Sequence, residues 1–131
     1  MVNLQCKVID SRELIQCTFG LAKTELKIFL FLLKSKRSVT SVDIANEINL
    51  DRTTVQKSIR GLLEKDIVIR RQINLDSGGY VFLYCVKDKV EIKQQMKEII
   101  DAWSNNAKHQ LENMFEKEEF EKKEEIADKN D

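Results

Sequence analysis

Apolar and polar positions over residues 38–66 recur with the period of two short helices separated by a tight connection. In the first helix, over about 41–48, apolar residues three or four positions apart predict a buried stripe: Val42, Ile44, Ala45 and Ile48. Thr40 precedes them, and its hydroxyl can accept a hydrogen bond from the amide of Asp43, as N-cap residues do. The pattern therefore predicts a helix that begins after Thr40 and ends before Asn49.

The second helix is predicted over about 52–65, after Asn49-Leu50-Asp51, with Asp51 as its N-cap. Its apolar residues fall on one side: Val55, Ile59, Leu62 and Leu63. At about 100° per residue, polar and cationic residues point away from that stripe or flank it: Thr53, Thr54, Gln56, Lys57 and Arg60. Gly61 costs this helix about 1 kcal/mol relative to Ala, which indicates close packing of a neighbouring group.

Beyond Asp66 the pattern changes to two strand segments around a turn. Residues 67–73 and 80–86 are rich in β-branched and aromatic residues, and Asp76-Ser77-Gly78-Gly79 tolerates the positive φ of a hairpin reversal. A helix, a tight connection, a second helix and a hairpin make the layout of a winged helix-turn-helix. We therefore predict a mostly α fold with a small β-hairpin wing, whose second helix reads the major groove of duplex DNA.

The C-terminal third has a different organisation. From Asp88 to about Phe120 there is no proline or glycine, and apolar residues recur at helical spacing, which predicts one long amphipathic helix. A second copy of the chain would cover its apolar stripe, so we predict a homodimer. The residues expected near its seam are Met96, Ile99, Ile100, Trp103, Ala107, Leu111 and Met114.

The chain is expected to divide into four segments. These are an N-terminal helical segment over 1–19, the winged helix over 20–87, the dimerisation helix over 88–116 and an acidic tail over 117–131. Apolar residues of the first segment are expected to join the core or the dimer layer: Val8, Leu14, Ile15 and Phe19. The tail is expected to be a solvated helix end, with repulsion of non-specific DNA or contact with another protein as the alternative.

The net charge of the chain is zero, but its distribution is uneven. Residues 112–131 carry nine acidic and four basic side chains, a net of −5, which leaves +5 on residues 1–111. Residues 34–71 carry nine basic and five acidic side chains, a net of +4. Because charges act within a Debye length of about 8–10 Å, the local excess decides the attraction to phosphate. The charge pattern therefore favours DNA binding by the predicted reading region.

Residues from about 19 to 90 resemble the winged-helix domain of archaeal and bacterial regulators of the TrmB and MarR type. The resemblance lies in three stretches: FGLAKTELKIFLFLLKSKRSVT, SVDIANEINLDRTTVQKSIRGLLEKDIVIRR and GGYVFLYCV. In such proteins a first helix packs behind the reading helix, and its pattern is occupied here by Leu21, Glu25, Ile28, Phe29 and Leu32. Sugar-responsive TrmB members continue into a large effector domain, for which we expect no room in 131 residues. The resemblance therefore does not imply a sugar ligand.

The sequence thus predicts a sequence-specific, dimeric transcriptional regulator that binds double-stranded DNA. The expected DNA-contacting residues lie on the second helix, at the start of the first and on the wing: Ser41, Arg52, Thr53, Thr54, Gln56, Lys57, Arg60, Arg70, Arg71, Ser77 and Gly78. Two alternatives are a winged-helix module that binds proteins in a transcription, RNA-processing or chromosome-maintenance complex, and a heterodimer subunit whose long helix pairs with a different chain.

Other classes of function find little support. The chain has no nucleophile elbow, phosphate loop or metal-spaced cluster, so we expect neither enzymatic activity nor a cofactor or metal. No apolar run approaches the roughly 20 residues of a membrane span, and no cleavable leader is visible, so a cytoplasmic protein is expected. Cys6, Cys17 and Cys85 are too few and too scattered for a disulfide framework or zinc ribbon. A redox role for Cys6 and Cys17, or a small-molecule effector, stays open.

Overall fold

The computed structural model describes residues 1–116, and the predicted acidic tail over 117–131 lies outside them. Its contacts divide the chain into two units, Met1–Met96 and the segment from Lys97 onward. The elements in chain order are β1 (Val2–Leu4), β2 (Lys7–Ile9), α1 (Ser11–Phe19), α2 (Lys23–Lys34), α3 (Ser41–Ile48), α4 (Arg52–Glu64), β3 (Val68–Asn74), β4 (Tyr80–Val86) and α5 (Lys89–Glu116). None of the helices described is both long enough and apolar enough to cross a bilayer.

The predicted helix-turn-helix is formed by α3 and α4, whose ends are capped as the sequence indicates. The Thr40 hydroxyl accepts a hydrogen bond from the Asp43 amide at 3.1 Å, and the Asp43 carboxylate accepts one from the Thr40 amide at 3.2 Å. Asn49 ends α3 in the left-handed region with φ 55°. The Asp51 carboxylate begins α4 by accepting from the Thr54 amide at 3.1 Å. The predicted boundaries of both helices are confirmed to within one residue.

Val42 departs from the stripe predicted on α3. Ile44 and Ala45 are buried and Ile48 is half-buried, whereas Val42 keeps 41% of its surface exposed. At about 100° per residue, Ile44, Ile48 and Ala45 share one sector of the helix, and Val42 falls about 60° beyond its edge. The prediction that Val42 is buried is therefore wrong.

The core of the first unit lies between α2 and the apolar side of α4. All five positions of the α2 pattern are buried: Leu21, Glu25, Ile28, Phe29 and Leu32. From α4, Val55, Ile59 and Leu62 are buried against them in the same apolar cluster. Each fully buried side chain of this size contributes about 1.5–3 kcal/mol, so this packing fixes the position of α4.

The absence of a side chain at position 61 is explained by Glu25, the one charged residue of that core. The Glu25 carboxylate accepts a hydrogen bond from the Ala22 amide at 2.8 Å and pairs with the Lys65 ammonium at 3.2 Å. A Cβ atom at Gly61 would overlap this carboxylate. The neighbouring group predicted from Gly61 is therefore the Glu25 carboxylate, which caps the N-terminus of α2.

The wing is the antiparallel hairpin of β3 and β4, paired from Val68 with Val86 to Asn74 with Tyr80. At its tip the Leu75 amide donates to the Gly79 carbonyl at 3.0 Å, and Gly78 has a φ of 96° that favours glycine. At its base Val39 and Tyr84 exchange two backbone hydrogen bonds, at 3.0 and 2.7 Å. This bridge holds the hairpin beside the start of α3.

The N-terminal segment contains more than the predicted helix. The strands β1 and β2 form a small hairpin before α1, in which Val8 remains exposed. Asp10 caps α1 by accepting from the Glu13 amide at 2.8 Å, and Phe19 at its end is buried in the core. The three-residue strands are too short to give a clear alternating pattern, which is why the sequence predicted only the helix.

The long helix α5 confirms the prediction over Lys89–Glu116, and the last four residues of the predicted helix lie outside the described chain. In the first unit Ile92 is buried and Met96 packs against the core. The Gln95 amide group donates to the Asp66 carbonyl at 3.0 Å. These contacts join the first two turns of α5 to the winged helix.

Candidate nucleic-acid interface

The outward side of α4 is polar and cationic. Its exposed residues are Arg52, Thr53, Gln56, Lys57, Arg60 and, at its last position, Glu64, while the opposite side is buried in the core. The ion pairs found within residues 1–116 all use lysines at other positions, Lys7, Lys65 and Lys87. The cations of this face therefore form no ion pair within the described residues, and they are available for an anionic partner.

Thr54 has a different role from its neighbours. Its amide and its hydroxyl both donate to the Asp51 carboxylate, at 3.1 and 2.5 Å. These bonds, first the one from the hydroxyl and then the one from the amide, hold the pKa of Asp51 below its ordinary range. The structure thus places Thr54 in the cap of α4, where its hydroxyl proton is already engaged.

A cleft of about 390 Å³ lies between α4, the start of α3 and the wing. Three elements supply its lining: Thr40, Ser41 and Val42 around the start of α3; Arg52, Gln56, Ile59, Arg60 and Leu63 from α4; and Arg70, Val81, Phe82 and Tyr84 from the hairpin. The lining thus includes three arginines, and within the described residues no aspartate or glutamate lines the cleft.

Arg70 is held in this cleft by two aromatic residues of β4. Its guanidinium carbon lies 4.4 Å from the centroid of the Phe82 ring, a cation–π contact. Burial raises the pKa of the Tyr84 hydroxyl, and the charge and a hydrogen bond of Arg70 oppose that rise. Tyr84 is also the residue bridged to Val39. Tyr84 therefore contacts the arginine through its side chain and the segment before α3 through its backbone.

Arg71, predicted to act together with Arg70, pairs with Leu83 on the other face of the hairpin. Successive side chains of a strand point to opposite faces, so the two arginines are separated by the hairpin itself. Arg71 is exposed and does not line the cleft. The structure brings together Ser41, Arg52, Gln56, Arg60 and Arg70, and places Arg71 elsewhere.

The remaining predicted wing residues, Ser77 and Gly78, lie exposed at the hairpin tip. Sequence reasoning missed the aromatic floor formed by Phe82 and Tyr84, together with Val42. Pairing the two strands in register from the turn would have placed Tyr84 opposite Arg70 and Phe82 opposite Gln72, because hairpin partners share a face. The exposure of Val42 also has a signal in the sequence, since helical spacing places it about 60° beyond the sector of Ile44, Ile48 and Ala45.

In the second unit, α5 presents apolar side chains that are exposed among the described residues. The exposed members of the predicted set are Ile99, Ile100, Trp103, Ala107 and Leu111, with Met114 half-buried. Trp103 is 64% exposed, and Phe115 beyond the predicted set is 70% exposed. Met96 differs from the others, since it packs against the core of the first unit.

The other chemistry-bearing side chains form no additional cluster. Cys6 and Cys17 are exposed, Cys85 is half-buried, and all three are free thiols. His109 is exposed on α5. Within residues 1–116 no group of three or more histidine, cysteine, aspartate or glutamate residues is placed to hold a metal ion.

Comparison with known protein families decides the classification of this fold. The family model described as "Sugar-specific transcriptional regulator TrmB" matches residues 15–89. The chain belongs to the TrmB family. The matched residues run from α1 through the winged helix to the first residue of α5, so membership in this family of transcriptional regulators rests on the part of the chain that carries the cationic face.

Relatives of similar size support this TrmB membership. An uncharacterised protein of Methanocaldococcus jannaschii is 33% identical over 114 residues, which are 87% of this chain and 86% of that protein. A Methanosarcina mazei structure described as a "possible transcriptional regulator" has 31% identity and a TM-score of 0.77, covering 86% of this chain and 95% of that one. The S. aureus MepR–DNA complex shares the fold at 16% identity, with a TM-score of 0.50 over 78% of this chain and 84% of MepR.

Proposed function

We propose that this chain is a sequence-specific regulator of transcription that binds double-stranded DNA as a homodimer through its winged helix-turn-helix. The outward face of α4 carries this proposal, since Arg52, Lys57 and Arg60 are exposed there without a carboxylate partner in the described chain. Cationic and short polar side chains on one face of an anchored helix suit the edges of bases and the flanking phosphates. MepR, which has this fold, has been solved bound to DNA.

The described side chains divide into two roles in this proposal. Thr53, Gln56 and Lys57 on the first two turns of α4 contact base edges, where an amide suits adenine and an ammonium suits guanine. Ser41, Arg52, Arg60 and Arg70 contact the sugar-phosphate backbone, with Arg71, Ser77 and Gly78 following it along the wing. Thr54 contributes indirectly, because its bonds to Asp51 fix the N-terminus of α4.

Competitive binding tests the base-reading role. We expect Lys57→Ala to weaken binding to a specific fragment from upstream of the chain's own gene by about 1–3 kcal/mol, the usual value of one base contact. Lys27→Ala removes the same charge from an exposed position of α2 and is the matched control. Anisotropy titrations with an excess of unrelated duplex would measure both. Unchanged specificity in Thr53→Ala, Gln56→Ala and Lys57→Ala would contradict the proposed reading face.

The homodimer is proposed from the apolar side of α5 beyond Lys97. At 100° per residue, Ile99, Ile100, Trp103, Ala107, Leu111 and Met114 fall within about 120° of the helix circumference. A continuous apolar face with an exposed tryptophan marks an interaction surface, and a second copy provides the same face by two-fold symmetry. Such a dimer presents two α4 helices to half-sites about one turn of DNA apart.

Sedimentation equilibrium tests this dimer. Trp103→Glu places a charge in the apolar face and is expected to give monomers at micromolar concentration, whereas the wild-type chain gives dimers. Asn105→Glu introduces the same charge on the opposite side of the helix and is expected to leave the dimer intact. A monomeric wild-type chain, or equal masses for the two variants, would contradict the proposed interface.

As a regulator of transcription, the protein is proposed to act in the cytoplasm.

A further inference from the structure

We propose that Gln95 is a positioning residue that sets the direction in which α5 leaves the winged helix, and with it the separation of the two α4 helices in a dimer. The inference rests on the proposed function, since it needs the dimer and its two half-sites. Its basis is the turn at Asp66, between the end of α4 and the start of β3, which the Gln95 side chain contacts. Both residues belong to the first unit, Met1–Met96.

The turn at Asp66 has a conformation that its surroundings must hold. Asp66 has a φ of 60°, in the left-handed region that is uncommon for a residue with a side chain. Its amide donates to the Leu63 carbonyl at 3.0 Å. The Ile67 amide donates to the Leu62 carbonyl at 3.4 Å, so the turn ends α4 by binding its last carbonyls. A group that binds this turn is therefore attached directly to the end of the reading helix.

The segment that leads into α5 binds the turn at three points. The Lys87 amide donates to the Ile67 carbonyl at 3.2 Å, and the Lys87 ammonium pairs with the Asp66 carboxylate at 2.8 Å. The Gln95 side-chain amide donates to the Asp66 carbonyl at 3.0 Å. The Asp66 side chain is 74% exposed, so solvent screens the ion pair. The hydrogen bond of Gln95 is the one of the three that comes from α5 itself.

The buried oxygen of Gln95 indicates a role other than packing. Gln95 is half-buried, and its neighbours on α5, Ile92 and Met96, pack in the core. The Gln95 Oε1 atom is buried and has no hydrogen-bond partner within residues 1–116. An apolar side chain of the same size would fill this space without the loss of free energy that an unpaired acceptor brings. The glutamine is therefore explained by the bond that its Nε2 atom makes to Asp66.

That bond supplies a direction that the apolar contacts of α5 lack. Burial of Ile92 and Met96 holds the helix against the core, but the hydrophobic effect is non-directional and resists separation more than rotation. A hydrogen bond weakens steeply when it is bent. The bond from Gln95 to Asp66 therefore limits rotation between the start of α5 and the end of α4.

A small rotation at this point is large enough to matter for DNA. The helix α4 has 13 residues and is about 20 Å long, so a rotation of the winged helix by about 10° about Asp66 moves the start of α4 by up to about 3.5 Å. The rise of one base pair is about 3.4 Å. Without the bond, the two α4 helices of a dimer would occupy a range of separations, and fewer dimers would match both half-sites at once.

Two substitutions remove the bond in different ways. Gln95→Met keeps the size of the side chain and removes both the donor and the buried oxygen, so its urea midpoint is expected to equal or exceed that of the wild type. Gln95→Glu keeps the shape and places a carboxylate against the Asp66 carbonyl. Asn105→Asp makes the same exchange of amide for carboxylate at an exposed position of α5 and is the matched control. A large loss of stability in Gln95→Met would assign the glutamine to packing and overturn the proposal.

The separation of the two α4 helices can be measured without DNA. A spin label at Thr53→Cys, on the exposed side of α4, is introduced into the full chain with its three native cysteines replaced by alanine. Double electron–electron resonance then gives the distance between the labels of a dimer. We expect a narrow distribution with Gln95 and in the Asn105→Asp control, and one at least about twofold broader in both Gln95 variants, because no hydrogen bond limits the rotation. Equal widths would overturn the proposal.

A DNA titration distinguishes positioning from reading. A palindromic duplex footprinted upstream of the chain's own gene is compared with the same duplex carrying random sequence in place of one half-site. We expect both Gln95 variants to bind the complete site about tenfold more weakly than the wild type and the single half-site within about twofold of it, because only simultaneous binding depends on separation. Equal losses on both duplexes would indicate a general structural defect and overturn the positioning role.

The two measurements separate the possible failures. Broader distributions in the variants of a chain that binds no duplex would support the role of Gln95 and contradict the proposed function. Unchanged distributions and unchanged binding of the complete site, in a chain that dimerises and binds DNA, would overturn the positioning role alone. A wild-type chain without a dipolar signal would be monomeric, which would overturn both the proposed dimer and the positioning role.

Discussion

The winged helix and the second half of α5 place their apolar side chains in opposite environments. Phe29 of α2 has no exposed surface, whereas Phe115 of α5 is 70% exposed. The first region closes its own core around α4 and leaves a cationic face outside. The second has no core of its own, and its apolar face is available to another chain. Apolar residues are therefore enclosed in a core in one region and exposed in the other, where the proposed dimer would cover them.

Truncating one phenylalanine from each region should give the largest effect. Phe29→Ala is expected to lower the free energy of unfolding by about 3–5 kcal/mol, because it leaves a cavity in a core that cannot collapse fully. Phe115→Ala is the matched variant and is expected to change the stability of the first unit by less than about 0.5 kcal/mol. Urea unfolding at low protein concentration, followed by circular dichroism, would measure both. Equal losses would remove the distinction between the two regions.

A smaller effect should come from Gly61 of α4, whose missing side chain leaves room for the Glu25 carboxylate of α2. Gly61→Ala would normally stabilise a helix by about 1 kcal/mol, but the new methyl group overlaps the Glu25 carboxylate. We therefore expect a net loss of about 1–3 kcal/mol, the range for overpacking. Urea midpoints of the variant and the wild type would measure it.

The control for this prediction uses the same contact. Combining Gly61→Ala with Glu25→Ala removes the overlapping group, so the alanine should then be neutral or stabilising relative to Glu25→Ala alone. A stabilising Gly61→Ala in the wild-type background would show that the carboxylate moves aside freely.

The smallest effect should come from the cap that starts α4. The pKa of Asp51 is lowered by its bonds to Thr54, so its contribution to stability is present above the pKa of the unfolded chain and is lost as pH falls through the folded pKa. Asp51→Asn keeps a good cap without the titration. We expect the stabilities of wild type and variant, measured by urea unfolding, to converge as pH falls below the ordinary Asp pKa of about 3.9 and through the lower folded pKa. A constant difference would contradict a role for the ionised carboxylate.

The winged helix was predictable from sequence because its local signals agree with its packing. The caps at Thr40 and Asp51 and the glycines of the turn each act within four residues, and the apolar period of α4 matches its buried side. Two local periods were not followed through. Val42 lies beyond the edge of the buried sector of α3 and borders the cleft, and Arg70 is separated from Arg71 by the pleat of the hairpin.

The candidate interface was predictable in outline for the same reason. The residues of the α4 face follow from helical spacing alone, whereas the convergence of Arg52, Arg60 and Arg70 depends on how the wing packs against the helix-turn-helix. Thr54 shows a further limit of prediction from helical spacing. Its hydroxyl was expected to contact DNA, but it donates a hydrogen bond to the Asp51 carboxylate that caps α4. Residues at helix starts need their capping bonds assigned before they are counted as contacts.

The central claim is that the cationic face of α4 and its cleft bind duplex DNA through phosphates, and the salt dependence of binding tests it most directly. The full chain would be titrated against a labelled duplex from its own upstream region between about 50 and 200 mM salt. With Arg52, Arg60 and Arg70 each at a phosphate, log affinity should fall against log salt with a slope of about −2.7 per protomer. A slope near zero, or no binding at the lowest salt, would contradict the account.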